Sequence, residues 1–347
     1  MAHQGLDRRS LIAAAAASAL LPGAATVRAA APAAATRPRI RRLAAGLDRI
    51  LAADAPVTLV MDKIAWAEGP LWIDEAGALL LSDPPANILR RWRPGGGVEI
   101  LLQPSGAGGT DPTLVREPGS NGLARDAAGR LLIANSGGRS VDRIAIDGRG
   151  PRTVLVDRYQ GRRFNSPNDI AVARDGALYF TDPPYGFVDP DHSPLRELAW
   201  NGVYRWRAGG EAVLIDKALT RPNGIGLSPD QTRLYVSVSD AAAPRLMVYT
   251  LDARGGAGDR RVLVAEAAMP GRGGPGLPDG LKVARDGTLF CAMPGGLTIL
   301  SPEGEPLGII AHDRAIANCA IGEMGRALFL AASDSVFRVP LAPGYRG

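Results

Sequence analysis

Six polar residues recur along this 347-residue chain, each opening an apolar run that leads into a turn. They stand in Glu68-Gly69-Pro70, Asn121-Gly122-Leu123, Asn168-Asp169-Ile170, Asn223-Gly224-Ile225, Asp279-Gly280-Leu281 and Asn318-Cys319-Ala320. Two carboxylates and four amides are all hard oxygen donors. Brought to one point they would suit a single divalent cation, calcium by preference, with zinc, magnesium or manganese also able to sit there. Taken singly, each Asn-Gly or Asp-Gly pair reads as turn chemistry and Glu68 as a solvated acid. What sets the six apart is that they fall at matched positions of a repeat.

The repeat is marked by a turn of the D-x-x-G-x-L kind. It is seen in Asp74 to Leu79 and Asp126 to Leu131, shortened in Asp175 to Leu178 and Asp286 to Leu289, and loosened in Pro229 to Leu234 and Glu323 to Leu328. The glycines supply positive φ for a hairpin, and apolar strands such as LLLSD, LLIAN, LYFTD and LFLAA follow. Successive turns lie about fifty residues apart, with further strands such as GVYRW and RLMVYTL between them. Four strands per repeat and six repeats predict an all-β fold, a six-bladed β-propeller with four-stranded blades. Val57-Thr58-Leu59-Val60 precedes the first hairpin and could close the ring beside the last blade. The innermost strands of a propeller line its channel, so the six openings predict a polar channel mouth. Before the repeats, Ile40, Leu43, Leu47, Ile50 and Leu51 have helical spacing and predict a short amphipathic helix over 39–53.

The segments Glu68-Gly69-Pro70-Leu71-Trp72, Ser166-Pro167-Asn168-Asp169, Tyr179 to Gly186, Arg221-Pro222-Asn223-Gly224 and Leu277 to Lys282 resemble, in order, those of the SMP-30/gluconolactonase/luciferin-regenerating-enzyme family. The resemblance spans roughly 57–340. It implies a six-bladed propeller with one catalytic divalent ion and hydrolysis of a lactone or other ester-like substrate. Its implied metal ligands are Glu68, Asn223 and Asp279, with Asn168 a metal or substrate contact. Two positions depart from the family pattern. Ser166 stands where some members carry a sugar-gripping arginine. Ala134-Asn135-Ser136-Gly137 stands where many bacterial lactonases have a Cys-Glu-His-Gly run.

No G-x-S-x-G elbow is present, and outside the first residues only His192 and His312 could serve a catalytic triad. Both are expected on solvent-facing loops. A metal mechanism needs neither, because a bound cation polarises a carbonyl and acidifies a water. In that reading Asp279 is the catalytic residue, acting as general base as well as ligand, or else only as ligand. Asn121, Asn168 and Tyr185 are the candidate substrate contacts. The loop Asp182 to Phe187, rigid with prolines, serves either as a pocket wall or as a structural corner. Trp66 and Trp72 are expected to pack between blades, and Gly271 to Gly276 to form a flexible loop.

The remaining signals bound the function. Apolar residues make up 46% of the chain and charged ones 22%, which excludes a disordered or collagen-like chain. Basic residues are interspersed with acids, which gives no nucleic-acid footprint despite a net charge of +5. Arg8-Arg9, the apolar run Leu11 to Leu21 and the small residues ending near Ala29 or Ala31 read as a cleavable export signal of the twin-arginine kind. An ordinary secretion signal or a disordered Ala-rich lead-in are the alternatives. The expected division is therefore 1–35 as signal and linker and 36–347 as one propeller domain, periplasmic or secreted, without a membrane span and monomeric. Cys291 and Cys319 lack any metal-binding spacing and are expected as buried thiols, a disulfide between them in an oxidising compartment being the alternative. Besides the lactonase, two alternatives fit the same residues: a non-enzymatic ligand-binding propeller with a structural calcium, and a phosphotriesterase-like hydrolase on the same metal.

Overall fold

The computed structural model describes residues 36–52, 54–106 and 111–345. The alternating apolar runs form six antiparallel sheets arranged as blades. The first four inner strands are Glu68–Ile73, Ser120–Arg125, Ile170–Val172 and Pro222–Leu227. Leu281–Val283 and Asn318–Gly322 complete the ring. The expected hairpin turns form as predicted, with Gly176 at φ 81° and Gly287 at φ 87° taking the left-handed backbone that a residue with a Cβ disfavours.

The ring closes with strands from both ends of the propeller. Thr58–Met61 pairs with Ser335–Pro340, placing Leu59 opposite Phe337, so the last blade takes its outermost strand from the start of the fold. This is the role expected of the 57–60 segment. The fifth blade has a fifth strand. Arg39–Arg42 adds to its outer edge, Arg39 opposite Ala311. The helix expected over 39–53 is accordingly shortened to one 3-10 turn, Ala45–Arg49. The open edge of Pro306–Ala311 offers ladder hydrogen bonds that outweigh a marginal isolated helix. Leu47, Ile50 and Leu51 are still buried, while Leu43 stays exposed. The export signal expected in 1–35 lies outside the described residues, among which no helix is long and apolar enough to cross a membrane.

Apolar clusters fill the gaps between neighbouring blades. Leu132, Ala134 and Val141 of the second blade meet Leu178, Phe180 and Tyr204 of the third. Trp72 stacks on Phe329 across the seam between first and last blades, centroids 5.1 Å apart, the packing role expected of it. Cys291 and Cys319 are buried free thiols, also as expected.

Four of the six polar openings are followed by glycine, where the inner strands nearly touch. A Cβ on Gly280 would lie 2.0 Å from Asn318 Cγ, and one on Gly224 would lie 2.4 Å from Asp279 O. Gly122 N–H donates to Asn168 O at 2.7 Å, and Gly280 N–H to Ala317 O at 2.7 Å. The glycines at these positions therefore answer to close backbone approach around the axis, not to hairpin turns. Approach of this kind carries the six openings to one end of the channel.

Candidate functional site

At that end a cavity of about 540 Å³ opens, and Glu68, Asn121, Asn168, Asn223 and Asp279 all line it. Five of the six openings thus share one cavity. Asn318 does not line it. Its Nδ2 donates to Glu68 Oε2 at 3.1 Å, and its Oδ1 accepts from Cys319 N–H at 2.9 Å and Lys282 Nζ at 3.3 Å. With both ends of its amide engaged, Asn318 orients Glu68 and has no oxygen to offer a cation.

Hydrogen bonding also decides which atoms of the other residues face the cavity. Glu68 Oε2 accepts from Gly69 N–H at 2.9 Å as well as from Asn318, so Oε1 is the oxygen left over. Asn223 Nδ2 donates to Ser239 Oγ at 3.0 Å, which leaves Asn223 Oδ1 as the free donor atom. Ser239 Oγ in turn donates to Pro278 O, tying the Asn223 strand to the segment that carries Asp279. Asp279 Oδ1 is buried and has no hydrogen-bond partner.

Acidic groups crowd this space. Burial pushes the Glu68 carboxyl up to about 7; the Gly69 and Asn318 hydrogen bonds oppose the shift, and Asp169 and Glu117 add to it. Asp279 is raised well above the usual carboxylate range, first by burial and then by repulsion from Glu68, Glu117 and Asp169. Glu117 and Asp169 are raised by burial as well, opposed by Arg116 and Lys282 respectively. Lys282 Nζ stands 3.8 Å from Asp169 Oδ2, and Arg116 bonds Glu117 at 3.0 Å. With all four ionised, two cations would stand against four carboxylates in and around the cavity, and the two at the openings, Glu68 and Asp279, have no ion-pair partner among the described residues.

An orphaned carboxylate oxygen, a free carboxylate oxygen and a free amide oxygen in an anionic pocket fit a hard divalent cation. The charge count agrees, since a dication offsets the two unpaired acids. Among the described residues no three His, Cys, Asp or Glu side chains form a metal-holding group. A cation here would depend on amides from Asn223 and Asn168 to complete its shell.

Tyr185 reaches the cavity as a wall residue on the Asp182 to Phe187 loop, with its hydroxyl buried and free of hydrogen bonds of good geometry although Ser239 stands nearby. Ser166 builds that loop. Its Oγ donates to Pro183 O at 2.5 Å and accepts from Gly186 N–H at 2.9 Å, and it does not line the cavity. Asn135 and Ser136, at the other departure from the family pattern, are likewise structural, bonding Asp142 at 2.7 Å and Pro167 O at 3.0 Å.

Two expectations need correction. Trp66 lines the cavity, where blade packing was expected. His312 is buried, its Nε2 2.9 Å from Thr36 O and its ring against Phe337, because the strand Arg39–Arg42 draws the preceding residues across it. Gly276, at the end of the Gly271 to Gly276 loop, and Leu277 after it also line the cavity. His192 is solvent-facing as expected. Arg116 and Glu117 lie in no motif, and Asp169 and Lys282 stand inside quoted segments without being singled out as site residues. Only the inward position of a lysine on the strand Leu281–Val283 was a usable signal, since a charge there needs a buried partner.

A six-bladed propeller whose inner strands bring acids and amides to one cavity defines the class of this protein. The chain matches the family described as SMP-30/Gluconolactonase/LRE-like region over residues 66–334, and it belongs to that family. It is 44% identical over 305 residues to a gluconolactonase of Zymomonas mobilis subsp. mobilis, covering 87% of this chain and 85% of that protein. The solved structure of a gluconolactonase from Xanthomonas campestris superposes with a TM-score of 0.73 at 33% identity, covering 91% of this chain and 99% of the other. A diisopropyl-fluorophosphatase of Loligo vulgaris is 25% identical over 258 residues, 71% of this chain and 78% of that one.

Proposed function

We propose that this protein opens a sugar-derived or other small lactone by attack of water on the carbonyl, with one divalent cation, calcium by preference, held by Glu68, Asn223 and Asp279 and completed by Asn168. The chain is a lactonase-type hydrolase, the class carried by its gluconolactonase relatives. The metal dependence and the mechanism are our reading. The observation behind them is the unpartnered Oδ1 of Asp279 in a negative cavity beside Glu68.

When bound, the cation supplies a Lewis acid that polarises the carbonyl and makes a water acidic enough to attack near neutral pH. The Asp279 carboxylate oxygen that is not on the cation would accept the proton of the attacking water. Asn318, held by Lys282, keeps Glu68 oriented through the bond to Oε2. Trp66 and Leu277 supply the apolar surface that excludes bulk water, and Asn121 and Tyr185 contact the substrate. The product is the ring-opened hydroxy acid, with the water proton ending on the departing ring oxygen. The leader residues 1–35 support action outside the cytoplasm, after export.

A strong chelator tests this reading. Proton release from an aldonolactone is expected to stop in chelated protein and to return with calcium, manganese or zinc. Undiminished hydrolysis in demonstrably metal-free protein contradicts it. The fluorophosphatase relative favours including a phosphotriester in the same assay. Turnover of that compound alone selects the phosphotriesterase alternative. Loss of thermal stability on chelation without turnover of any substrate selects the binding propeller.

A further inference from the structure

The cation-binding set leaves part of the cavity lining without a task. Arg116 and Glu117, from the segment between the first and second blades, line it together with Tyr185 from the third. The backbone joins the two segments: Arg116 and Glu117 N–H donate to Gly186 O at 2.8 and 3.3 Å, and Val188 N–H donates to Leu114 O at 3.1 Å. Val115 pairs with Phe187, which is buried under the Arg139 guanidinium. Two loops from distant parts of the sequence therefore make one wall with its side chains fixed in advance.

That wall is underbonded on its cavity side. One Glu117 oxygen takes the Arg116 guanidinium at 3.0 Å, while the other has only a long 3.5 Å contact from Asn121 Nδ2. The Glu117 side chain is 13% exposed, and the Tyr185 hydroxyl is buried without a partner. Polar atoms held this way are costly unless a ligand completes them. An anionic ligand is repelled by Glu117 beside Glu68 and Asp279, and an alkyl chain leaves the same atoms unmet. Hydroxyl groups donate to the carboxylate, accept from the guanidinium and do either with the phenol. Trp66, lining the same cavity, offers an apolar ring to the C–H face of a saturated ring.

We infer that Glu117, with Arg116 and Tyr185, is the specificity-determining element of the site, selecting a lactone that carries ring hydroxyls over the same ring without them. The inference rests on the lactone reading above. Sites built to bond a hydroxyl reject analogues that lack it strongly, because their own buried polar groups are then left unpaired.

The test compares kcat/KM for glucono-δ-lactone and δ-valerolactone, in wild type and in Glu117→Gln and Arg116→Met, alongside calorimetric binding of anhydroglucitol, an unreactive cyclic polyol. The ratio of the two kcat/KM values is expected to fall at least about ten-fold in Glu117→Gln and about three-fold in Arg116→Met, mainly through KM for the hydroxylated substrate. Anhydroglucitol affinity is expected to fall in parallel. Arg116 is half-exposed, so its variant reports even where Glu117→Gln folds poorly. A wild type without preference, or a ratio unmoved in both variants, overturns the inference. Turnover of neither lactone with Glu117-dependent binding of anhydroglucitol overturns the lactone reading and leaves hydroxyl recognition standing. Neither turnover nor binding overturns both.

Discussion

Asp279→Ala is expected to lower lactone turnover by about three orders of magnitude while the propeller still folds, because the variant loses a ligand carboxylate and a proton acceptor together. Asp279 gives the fold little that alanine would remove beyond its contact with Asn223. Its Oδ1 has no hydrogen bond, and its charge is opposed by Glu68, Glu117 and Asp169. Removing it relieves repulsion, so metal-free Asp279→Ala is expected to melt at or above the temperature of metal-free wild type. Asp279→Asn separates the two roles. It keeps an oxygen for the cation and loses the proton acceptor, so its activity falls nearly as far while cation binding is only weakened. Steady-state kinetics with calorimetric titration of the cation checks both variants. Activity within about ten-fold of wild type in Asp279→Ala would remove this residue from the chemistry.

The second large effect is a dependence of stability on pH that the cation reverses. Glu68 in the metal-free fold titrates at about 7 and Asp279 well above its ordinary value, both first through burial. A carboxyl whose folded pKa exceeds its unfolded value binds more protons in the native state than in the unfolded one. Its contribution is complete below the unfolded value and disappears as pH rises through the folded one. Metal-free protein is therefore expected to lose thermal stability progressively as pH rises from about 4.5 to about 7, the span set by Glu68. Asp182, buried in the third blade and also raised to about 7, adds to the same fall. A cation at Glu68 and Asp279 removes their share and leaves that of Asp182. The rise in melting temperature on adding calcium is therefore expected to be several degrees larger at pH 8 than at pH 5. Scanning calorimetry at the two pH values measures it. An increment equal at both, or larger at pH 5, contradicts the assignment.

Much of this was legible in the sequence, for physical reasons that can be named. The propeller announces itself because each blade must restart with the same hairpin, so D-x-x-G-x-L recurs at a blade's length. Glu68, Asn121, Asn168, Asn223 and Asp279 were readable as a group because the ring symmetry of a propeller converts matched repeat positions into spatial neighbours. The same symmetry misled for Asn318. Its position matches, but Lys282 and Cys319 occupy its oxygen, and no repeat pattern encodes which amide is already engaged. Glu117 and Trp66 lie in connections between strands, where period carries no information and only the folded path of the backbone brings a side chain inward. The lead-in shows a further limit: helical spacing from Ile40 to Leu51 describes a surface that can be buried, yet an open sheet edge claimed Arg39–Arg42 first.

The central claim is that Glu68, Asn223 and Asp279 share one cation. A crystal structure of the protein grown with manganese, read by anomalous scattering, tests it directly. One strong peak in contact with oxygens of all three side chains, absent from crystals of Asp279→Ala, is the predicted result. A protein saturated with manganese whose peaks all lie away from these three residues would contradict it.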